Sequence, residues 1–336
     1  MSDLEKTIHY TTQAEKICGN LKKYIPEDVF LIEPFVGDGD LLPIFPKNSW
    51  EVYDIAPTGK EGVIIQDTLL NKPDYKNKWV ITNPPYLARN KATDKRIFDL
   101  YKVDDLYKAT LLSILDSEGG ILIIPTNFFT DERTGSVREE FFKNFKILEA
   151  NIFTEPVFKT TTYSVCSFAF IKKEKSNLPQ SFTVNIKPKE EQINITVYPE
   201  YDYRIAGEFY DSISKVTNVF GRLVGKESKD YITNIKLYAL DTRTERIRLE
   251  FETNHYEGKN TDRIYATLTC KDKLSEEQEK RLISEFNTQL ENFRKQYCDL
   301  SMTNYRDYNR KRIGFTFSYQ LLSKIYKEIY KNWNKI

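Results

Sequence analysis

The chain has 336 residues, enough for about two domains, and its 40% hydrophobic and 29% charged residues are typical of a folded globular protein. Lys and Arg total 50 and Asp and Glu total 49, so the net charge of +1 does not mark the whole chain as a polyanion binder. The sequence shows no apolar run of membrane-span length, no signal-peptide core, no CxxC pair among four cysteines and only two histidines. We therefore expect no membrane partner, no metal site and a cytoplasmic protein with reduced thiols, or one inside the host cell if the source is a virus.

The first half of the chain alternates short apolar runs with helix-like segments, which is typical of β-α units around a parallel sheet. Predicted strands cover residues 29–32, 50–53, 63–65, 79–82, 121–124 and 164–171. A polar segment that contains Pro179, residues 172–180, follows the last of these strands, and we place a domain boundary there. The sequence thus predicts an α/β domain over residues 1–175 and a second domain over residues 176–336.

The second half shows a different pattern, with strand-like runs at residues 182–186, 193–197, 232–237, 247–251 and 264–269. A long helix is predicted after them, because Ser275 and Gln278 have the spacing of a capping box. Its apolar residues recur at intervals of three and four, namely Leu282, Phe286, Leu290, Phe293 and Tyr297. This spacing is typical of one buried helix face, so we expect the stripe to be core.

The last 36 residues concentrate positive charge. Residues 301–336 contain eight basic and two acidic side chains, interleaved with Tyr and Phe. Basic and aromatic residues mixed in this way suit contact with phosphates and bases. The same segment also fits an amphipathic terminal helix with a solvated lysine face and a core side formed by Leu321, Leu322, Ile325 and Ile329. Both interpretations can hold for one segment.

A glycine-rich sequence, residues 33–40, directly follows the first predicted strand. Gly37 and Gly39 let the backbone turn tightly and approach a ligand without a Cβ atom in the way. Open α/β sheets bind nucleoside cofactors at this position, but the third glycine of the dinucleotide fingerprint is missing, which argues against nicotinamide or flavin. Pro43 and Pro46 predict that the helix after the turn is short or broken.

Carboxylates follow three successive predicted strands. Glu33 follows the first, Asp54 follows the second 21 residues later, and Asp67 follows the third. Because parallel strands end at one edge of a sheet, these acids are expected to converge on one crevice, where Asp54 has the position of an acceptor for ribose hydroxyls. Each acid is also suited to capping a helix.

The sequence Thr82-Asn83-Pro84-Pro85-Tyr86 follows the fourth predicted strand. As a local signal, Asn-Pro starts turns and Pro-Pro ends strands. An exocyclic aromatic amine is a poor nucleophile because its lone pair is delocalised into the ring, and two acceptors on its N–H groups would localise that pair. The Asn83 side chain and the Pro84 backbone each supply a carbonyl, which the consecutive prolines hold rigidly. Tyr86 offers a face on which a purine can stack.

The order of these motifs over residues 8 to 171 resembles that of the amino-group DNA methyltransferases, which use S-adenosylmethionine and modify adenine N6. The NPPY sequence after the fourth strand is the most specific part of this resemblance. The resemblance implies the class I methyltransferase fold, a Rossmann-like, doubly wound and mostly parallel α/β sheet, with a second, smaller α+β domain. It also implies that residues 1–175 are the catalytic domain and that residues 176–336 are the target-recognition, DNA-binding domain.

The resemblance assigns a set of residues to the cofactor S-adenosylmethionine: Tyr10, Thr11, Glu33, Gly37, Gly39, Asp54, Ile55 and Asp67. Tyr10 and Thr11 match the cofactor segment before the first strand, and the glycine-rich turn surrounds the methionine portion. Asp54 would hold the ribose, Ile55 would pack on the adenine, and Asp67 would accept from the adenine amino group.

The resemblance implies that the target base is bound by the catalytic residues Asn83, Pro84, Pro85 and Tyr86. An aromatic residue before the last strand of the catalytic domain would stack on the opposite face of the base, and Phe158 and Tyr163 compete for this role.

Four basic residues follow NPPY directly, namely Arg89, Lys91, Lys95 and Arg96. Their position beside the catalytic motif favours phosphate contacts, although such charges also suit an ordinary solvated loop.

The implied enzyme is a site-specific methyltransferase acting on a flipped-out adenine of double-stranded DNA and belonging or related to a restriction–modification system. A cognate restriction endonuclease would be a functional partner and not a member of a stable complex.

Three alternatives stay open. NPPY also occurs in methyltransferases of RNA adenine N6 and of protein glutamine N5, although in the protein-modifying group a helical domain usually precedes the cofactor motif. Here only 28 residues precede the first predicted strand. A basic aromatic domain also suits single-stranded RNA. The third alternative is a non-enzymatic nucleic-acid binder, which the intact set of motifs disfavours.

Overall fold

The computed structural model describes residues 13–158, 161–225, 230–304 and 308–331. The chain forms two compact units. The first contains Met1–Ile205 together with Arg306–Asn309, and the second contains Ala206–Tyr305 and Arg310–Ile336.

A nine-stranded sheet forms the centre of the first unit. Its strands are β1 (Phe30–Glu33), β2 (Ser49–Asp54), β3 (Val63–Ile65), β4 (Trp79–Thr82), β5 (Gly119–Pro125), β6 (Phe145–Phe153), β7 (Val165–Lys172), β8 (Gln180–Lys187) and β9 (Glu191–Val197). They lie in the order β3-β2-β1-β4-β5-β7-β6-β8-β9. The neighbouring strands β3, β2, β1, β4 and β5 pair in parallel, and so do β6 and β8. Strand β7 runs antiparallel to both of its neighbours, β5 and β6. The predicted Rossmann-like, mostly parallel α/β sheet is confirmed.

Helices cover both faces of this sheet. The helices of the unit are α1 (Ala14–Cys18), α2 (Arg96–Tyr101), α3 (Leu106–Ser113) and α4 (Gly135–Asn144). On β7, Ser167 Oγ donates to Ile17 O of α1 at 2.6 Å, while the next residue, Phe168, packs its ring 5.8 Å from that of Phe141 in α4. Because consecutive strand residues point to opposite faces, α1 and α4 lie on opposite sides of the sheet.

The boundary predicted at residues 175 and 176 differs from this division. Strand β6 was not among the predicted strands, and β8 pairs in parallel with it, with Glu149 opposite Thr183. Strand β9 then pairs antiparallel with β8. The polar segment 172–180 therefore connects β7 and β8, two strands of one sheet. Strand β6 offers a free edge to which β8 pairs, and β9 then pairs with β8. The assignment of catalysis and DNA recognition to two domains stays a prediction.

The second unit is α+β. It contains β10 (Phe220–Arg222), β11 (Tyr231–Tyr238), β12 (Arg248–Phe251), β13 (Tyr265–Cys270), β14 (Thr303–Asn304) and β15 (Lys311–Arg312), with α5 (Gly207–Ser214), α6 (Glu276–Gln296) and α7 (Phe315–Tyr330). Four strands form an antiparallel sheet in the order β10-β13-β11-β12.

Helix α6 is the long helix that the sequence predicted. The Ser275 side chain accepts from Gln278 N at 3.2 Å, and the Gln278 side chain accepts from Ser275 N at 2.8 Å, which confirms the capping box. The stripe residues within the helix, Leu282, Phe286, Leu290 and Phe293, are buried as predicted. In the part of the chain that the structure describes, no helix has the length and apolar character needed to cross a membrane.

Several basic side chains of the C-terminal run are engaged within the second unit. Lys327 Nζ donates to Thr217 O at 3.0 Å, and Lys331 forms an ion pair with Asp272 at 3.2 Å. Lys311 is buried, which lowers its pKa to about 8. Helix α7 buries Leu321, Leu322 and Ile325 of the predicted core side, whereas Ile329 is only partly buried, so the amphipathic-helix interpretation holds for three of its four residues.

Candidate active site

The glycine-rich turn begins where β1 ends. Gly37 and Gly39 have φ values of 50° and 71°, a backbone conformation that favours glycine. Gly39 N donates to Val36 O at 2.8 Å, which closes the turn, and Val36 N donates to Tyr53 O of β2 at the same distance. The helix predicted to be short or broken is a single 3-10 turn, Leu42–Ile44.

Asp54, at the end of β2, holds this turn against the sheet. Its Oδ2 accepts from Gly37 N at 2.9 Å and its Oδ1 accepts from Ala56 N at 3.0 Å. The sequence indicated a ligand-binding role for Asp54, but this structural role becomes visible only when β1 and β2 are seen side by side. A carboxylate oxygen has more than one lone pair, so each oxygen can accept a further bond.

Ile55 and Asp67 follow the ends of β2 and β3, which pair in parallel, so they lie at the same edge of the sheet as Asp54. Ile55 is 39% exposed, so an apolar surface lies next to the Asp54 carboxylate. Asp67 Oδ1 accepts from the backbone N–H groups of Leu69 and Leu70, each at 3.1 Å. Asp67 therefore caps the turn after β3, and not a helix as the alternative interpretation of the sequence expected.

Glu33 connects the glycine-rich turn with β4. It is only 2% exposed, and its Oε1 accepts from Phe35 N at 3.0 Å and from Thr82 Oγ1 at 2.5 Å. Burial raises the pKa of the Glu33 carboxyl to about 8. Because Thr82 directly precedes Asn83, this hydrogen bond brings the turn and the NPPY sequence to one place on the sheet edge.

The buried Glu33 carboxyl makes stability depend on pH. Its folded pKa of about 8 lies above the ordinary value of 4.5, so between these values the folded state binds more protons than the unfolded state, and the free energy of unfolding falls as the pH rises. In Glu33→Gln an amide oxygen can keep both hydrogen bonds without this titration. We expect the variant to gain stability relative to wild type between pH 5 and pH 8.5, as measured by urea unfolding. If the difference in free energy of unfolding between Glu33→Gln and wild type is the same at pH 5 and at pH 8.5, the prediction is contradicted.

The NPPY sequence leaves β4 as a compact, mostly buried segment. Asn83 is 9% exposed and Tyr86 is 6% exposed. The Tyr86 hydroxyl oxygen lies 2.5 Å from Asn83 Oδ1 and 2.7 Å from Ile123 O of β5. Stacking a base on the Tyr86 ring would require part of its surroundings to move, because so little of the ring is exposed. Sequence analysis did not find the contact with Ile123, which lies 37 residues away.

The basic residues after NPPY have mostly local partners. Arg89 forms an ion pair with Asp99 at 2.7 Å, and Arg96 forms one with Asp94 at 2.7 Å. Lys95 donates to two backbone carbonyls of its own loop. Lys91 is exposed and forms no ion pair within the described residues. The solvated-loop interpretation therefore fits three of the four charges, and Lys91 is the best placed of them for a phosphate contact.

The two candidate stacking aromatics lie before β7. Phe158 is buried, and Tyr163 is partly exposed. Close by, Ser164 O accepts from Thr126 N after β5, and Thr162 O accepts from Tyr308 N at 3.2 Å, both within the first unit. Tyr10 and Thr11, the remaining cofactor residues that the resemblance implies, lie outside the described residues.

Comparisons with known proteins gave matches among solved structures alone. No protein-family profile matches the chain, and no curated protein sequence matches it. The chain is similar to a modification subunit of a putative type I restriction enzyme from Vibrio vulnificus YJ016, with 12% identity and a TM-score of 0.44 over 64% of this chain and 55% of that one.

Two further structures are similar. One is a putative class I S-adenosylmethionine-dependent methyltransferase from Listeria monocytogenes, with 15% identity and a TM-score of 0.42 over 54% of this chain and 68% of that one. The other is a type I restriction-modification methyltransferase subunit from Streptococcus thermophilus, with 14% identity and a TM-score of 0.42 over 59% of each chain. The chain thus spans little more than half of the length of the Vibrio and Streptococcus proteins.

Proposed function

We propose that the protein is an S-adenosylmethionine-dependent methyltransferase that modifies the N6 amino group of adenine in double-stranded DNA. The observation that carries the proposal is the hydrogen bond between Glu33 and Thr82. It joins the turn that is suited to a nucleoside cofactor to a rigid amide and carbonyl that are suited to an aromatic amine. A methyl donor and a methyl acceptor would therefore meet at one edge of the sheet.

The residues at the turn fit S-adenosylmethionine. Gly37 and Gly39 place backbone without Cβ atoms at the end of β1, where Glu33 would help to surround the methionine portion. Asp54 can accept from ribose hydroxyls with its remaining lone pairs, and the exposed Ile55 next to it offers an apolar surface for adenine. When bound, this cofactor supplies an electrophilic methyl group on a sulfonium.

Asn83 and Pro84 would activate the target amine. The Asn83 side-chain carbonyl and the Pro84 backbone carbonyl accept its two N–H groups, so that its lone pair points at the incoming methyl group. The nitrogen would gain positive charge as the N–C bond formed and the S–C bond of the sulfonium broke to leave a neutral thioether, and it would then lose a proton to water. The two fixed carbonyl dipoles would stabilise that charge in a largely buried place. No covalent enzyme intermediate is needed, so Cys166, which is buried in β7, takes no part.

Substrate DNA would contribute the remaining binding energy. An adenine inside a duplex is inaccessible, so it must flip out, which costs a few kcal/mol. Stacking of the base on an aromatic ring, for which the buried Phe158 and the more exposed Tyr163 are the candidates, returns about 1–3 kcal/mol. Phosphate contacts from Lys91, from Arg89 once it leaves Asp99, and from the second unit would supply more. A role beside a cognate restriction endonuclease belongs to the same proposal.

The proposal is tested by incubating the protein with methyl-labelled S-adenosylmethionine and three separate acceptors: double-stranded DNA, RNA and protein. We expect label in DNA, recovered as N6-methyladenine after nuclease digestion. Asn83→Ala protein, purified in the same way, controls for a contaminating methyltransferase. Label in RNA or in protein glutamine would show that one of the alternative substrates is methylated in place of DNA. If none of the three acceptors becomes labelled, the proposal is overturned.

A further inference from the structure

The loop between β2 and β3 carries Lys60 across the glycine-rich turn. A Cβ atom on Gly39 would lie 3.1 Å from Lys60 Cε and 3.3 Å from Lys60 Cδ, so the end of the lysine side chain packs directly on the turn. The Lys60 ammonium has three N–H groups to donate, yet it forms no ion pair or hydrogen bond in the described part of the chain. A positive charge without a protein partner therefore lies at the turn.

Asp40, which directly follows Gly39, supplies a negative charge at the same place. Its Oδ2 atom is shielded from solvent and accepts no hydrogen bond from any residue that the structure describes. Burial and the nearby Asp38 raise the pKa of the Asp40 carboxyl, whereas Lys60 acts to lower it, so the charge of the lysine reaches this carboxyl. The two side chains nevertheless form no direct ion pair. A shielded carboxylate oxygen without a donor is costly, and a ligand that donates to it would remove that cost.

An α-amino acid group fits these two charges. It carries an ammonium and a carboxylate on one carbon atom, so a single group can donate to Asp40 and accept from Lys60. Hydrogen bonds between charged groups are about twice as strong as those between neutral groups. The methionine portion of S-adenosylmethionine ends in such a group, and in the proposed function this portion lies at the glycine-rich turn.

We propose that Asp40 and Lys60 bind the amino-acid end of S-adenosylmethionine, with Asp40 accepting from its ammonium and Lys60 donating to its carboxylate. The inference rests on the proposed function, because it names the residues that hold the end of the cofactor opposite the adenine. Gly59 and Gly62 lie on either side of Lys60, and a Cβ atom on either of them would meet nothing within 4 Å. The loop is therefore not packed against other residues there, and Lys60 has room to adjust to the ligand.

Two ligands that differ in this end test the assignment. S-adenosylhomocysteine and 5′-methylthioadenosine share the adenosine and the thioether, but only the first has the amino-acid group. We expect Lys60→Met and Asp40→Asn each to raise the Kd for S-adenosylhomocysteine by about 10- to 100-fold, the scale of one hydrogen bond to a charged group. The Kd for 5′-methylthioadenosine should not change, which also shows that each variant is folded. Lys47→Met is the matched control, since it removes an exposed lysine that pairs with Glu27 at 3.1 Å in the same unit.

A third ligand separates the roles of the two charges. The decarboxylated analogue of S-adenosylhomocysteine keeps the ammonium and lacks the carboxylate. Asp40→Asn should therefore raise its Kd, whereas Lys60→Met should not. If both variants weaken its binding, or if neither does, the assignment of the two charges is overturned.

These binding measurements need no turnover, so they distinguish this inference from the proposed function. If Lys60→Met tightens the binding of both S-adenosylhomocysteine and 5′-methylthioadenosine, the lysine only covers the turn and the inference is overturned, even where DNA is methylated. Unchanged affinities in both variants overturn it as well. If the affinities change as expected in a protein that methylates no acceptor, the inference is supported and the proposed function is contradicted. A wild-type protein that binds none of the three ligands contradicts both.

Discussion

Asn83→Ala is expected to lower methyl transfer by at least about 10²- to 10³-fold, the cost of removing one preorganised group from a charge-stabilising site. The variant keeps the Pro84 carbonyl but loses the side-chain acceptor that, in the proposed mechanism, localises the lone pair of the amine. Asn83 does not belong to the turn that Asp54 and Gly37 form, so cofactor binding should survive. Turnover is measured with labelled S-adenosylmethionine, and the Kd for the cofactor by calorimetry.

Asp54→Ala should have the opposite effect on cofactor binding to that of Asn83→Ala. It removes the acceptor of the Gly37 N–H group as well as the proposed ribose contact, so the Kd for S-adenosylmethionine should rise strongly. Wild-type turnover in Asn83→Ala would refute the role of the amide. Unchanged cofactor affinity in Asp54→Ala would remove Asp54 from the cofactor site.

Gly120→Ala is expected to lower the free energy of unfolding by about 3 kcal/mol or more, from steric overlap and backbone strain together. Gly120 lies opposite Val80 in the β4–β5 pairing and has a φ of 154°. A Cβ atom at this position would lie 1.8 Å from Val80 O. Because both partners are strand backbone, the strands themselves would have to separate. Urea unfolding of the purified variant measures the effect.

Gly59→Ala provides the control for the steric part of this effect. Gly59 lies in the same unit and has a φ of 72°, but a Cβ atom there would meet nothing within 4 Å. The control therefore carries only backbone strain, about 1–2 kcal/mol. Equal losses in the two variants would show that the close approach of β4 and β5 contributes nothing.

The positions of most strands in the first unit could be predicted from sequence, because a buried parallel strand is a short apolar run between turn signals. Strand β6 could not, since Glu149 and Asn151 interrupt its apolar pattern. These polar residues are buried because Asn20 and Asn185 hydrogen-bond to both of them. Without β6, nothing in the sequence showed that β8 has a partner in the first sheet, so the boundary was placed too early.

The site was predictable where its chemistry is local. The glycine-rich turn, the acids at strand ends and NPPY are each visible within a few residues, and the structure brings Glu33 next to the start of NPPY. The hydrogen bond from the Tyr86 hydroxyl to Ile123 O depends on β5 and so has no local signal. The ion pairs that occupy Arg89 and Arg96 depend on where the chain turns after NPPY, which charge counting does not reveal.

The bond between Tyr308 and Thr162 bears on how the second unit could be exchanged during evolution. The first unit includes Arg306–Asn309, so its residues are not encoded by one uninterrupted stretch of sequence. A recombination event that exchanged everything after Ile205 would also replace the backbone amide that Thr162 O accepts. A successful exchange of the second unit would therefore have to bring a compatible segment at 306–309, or keep the original one.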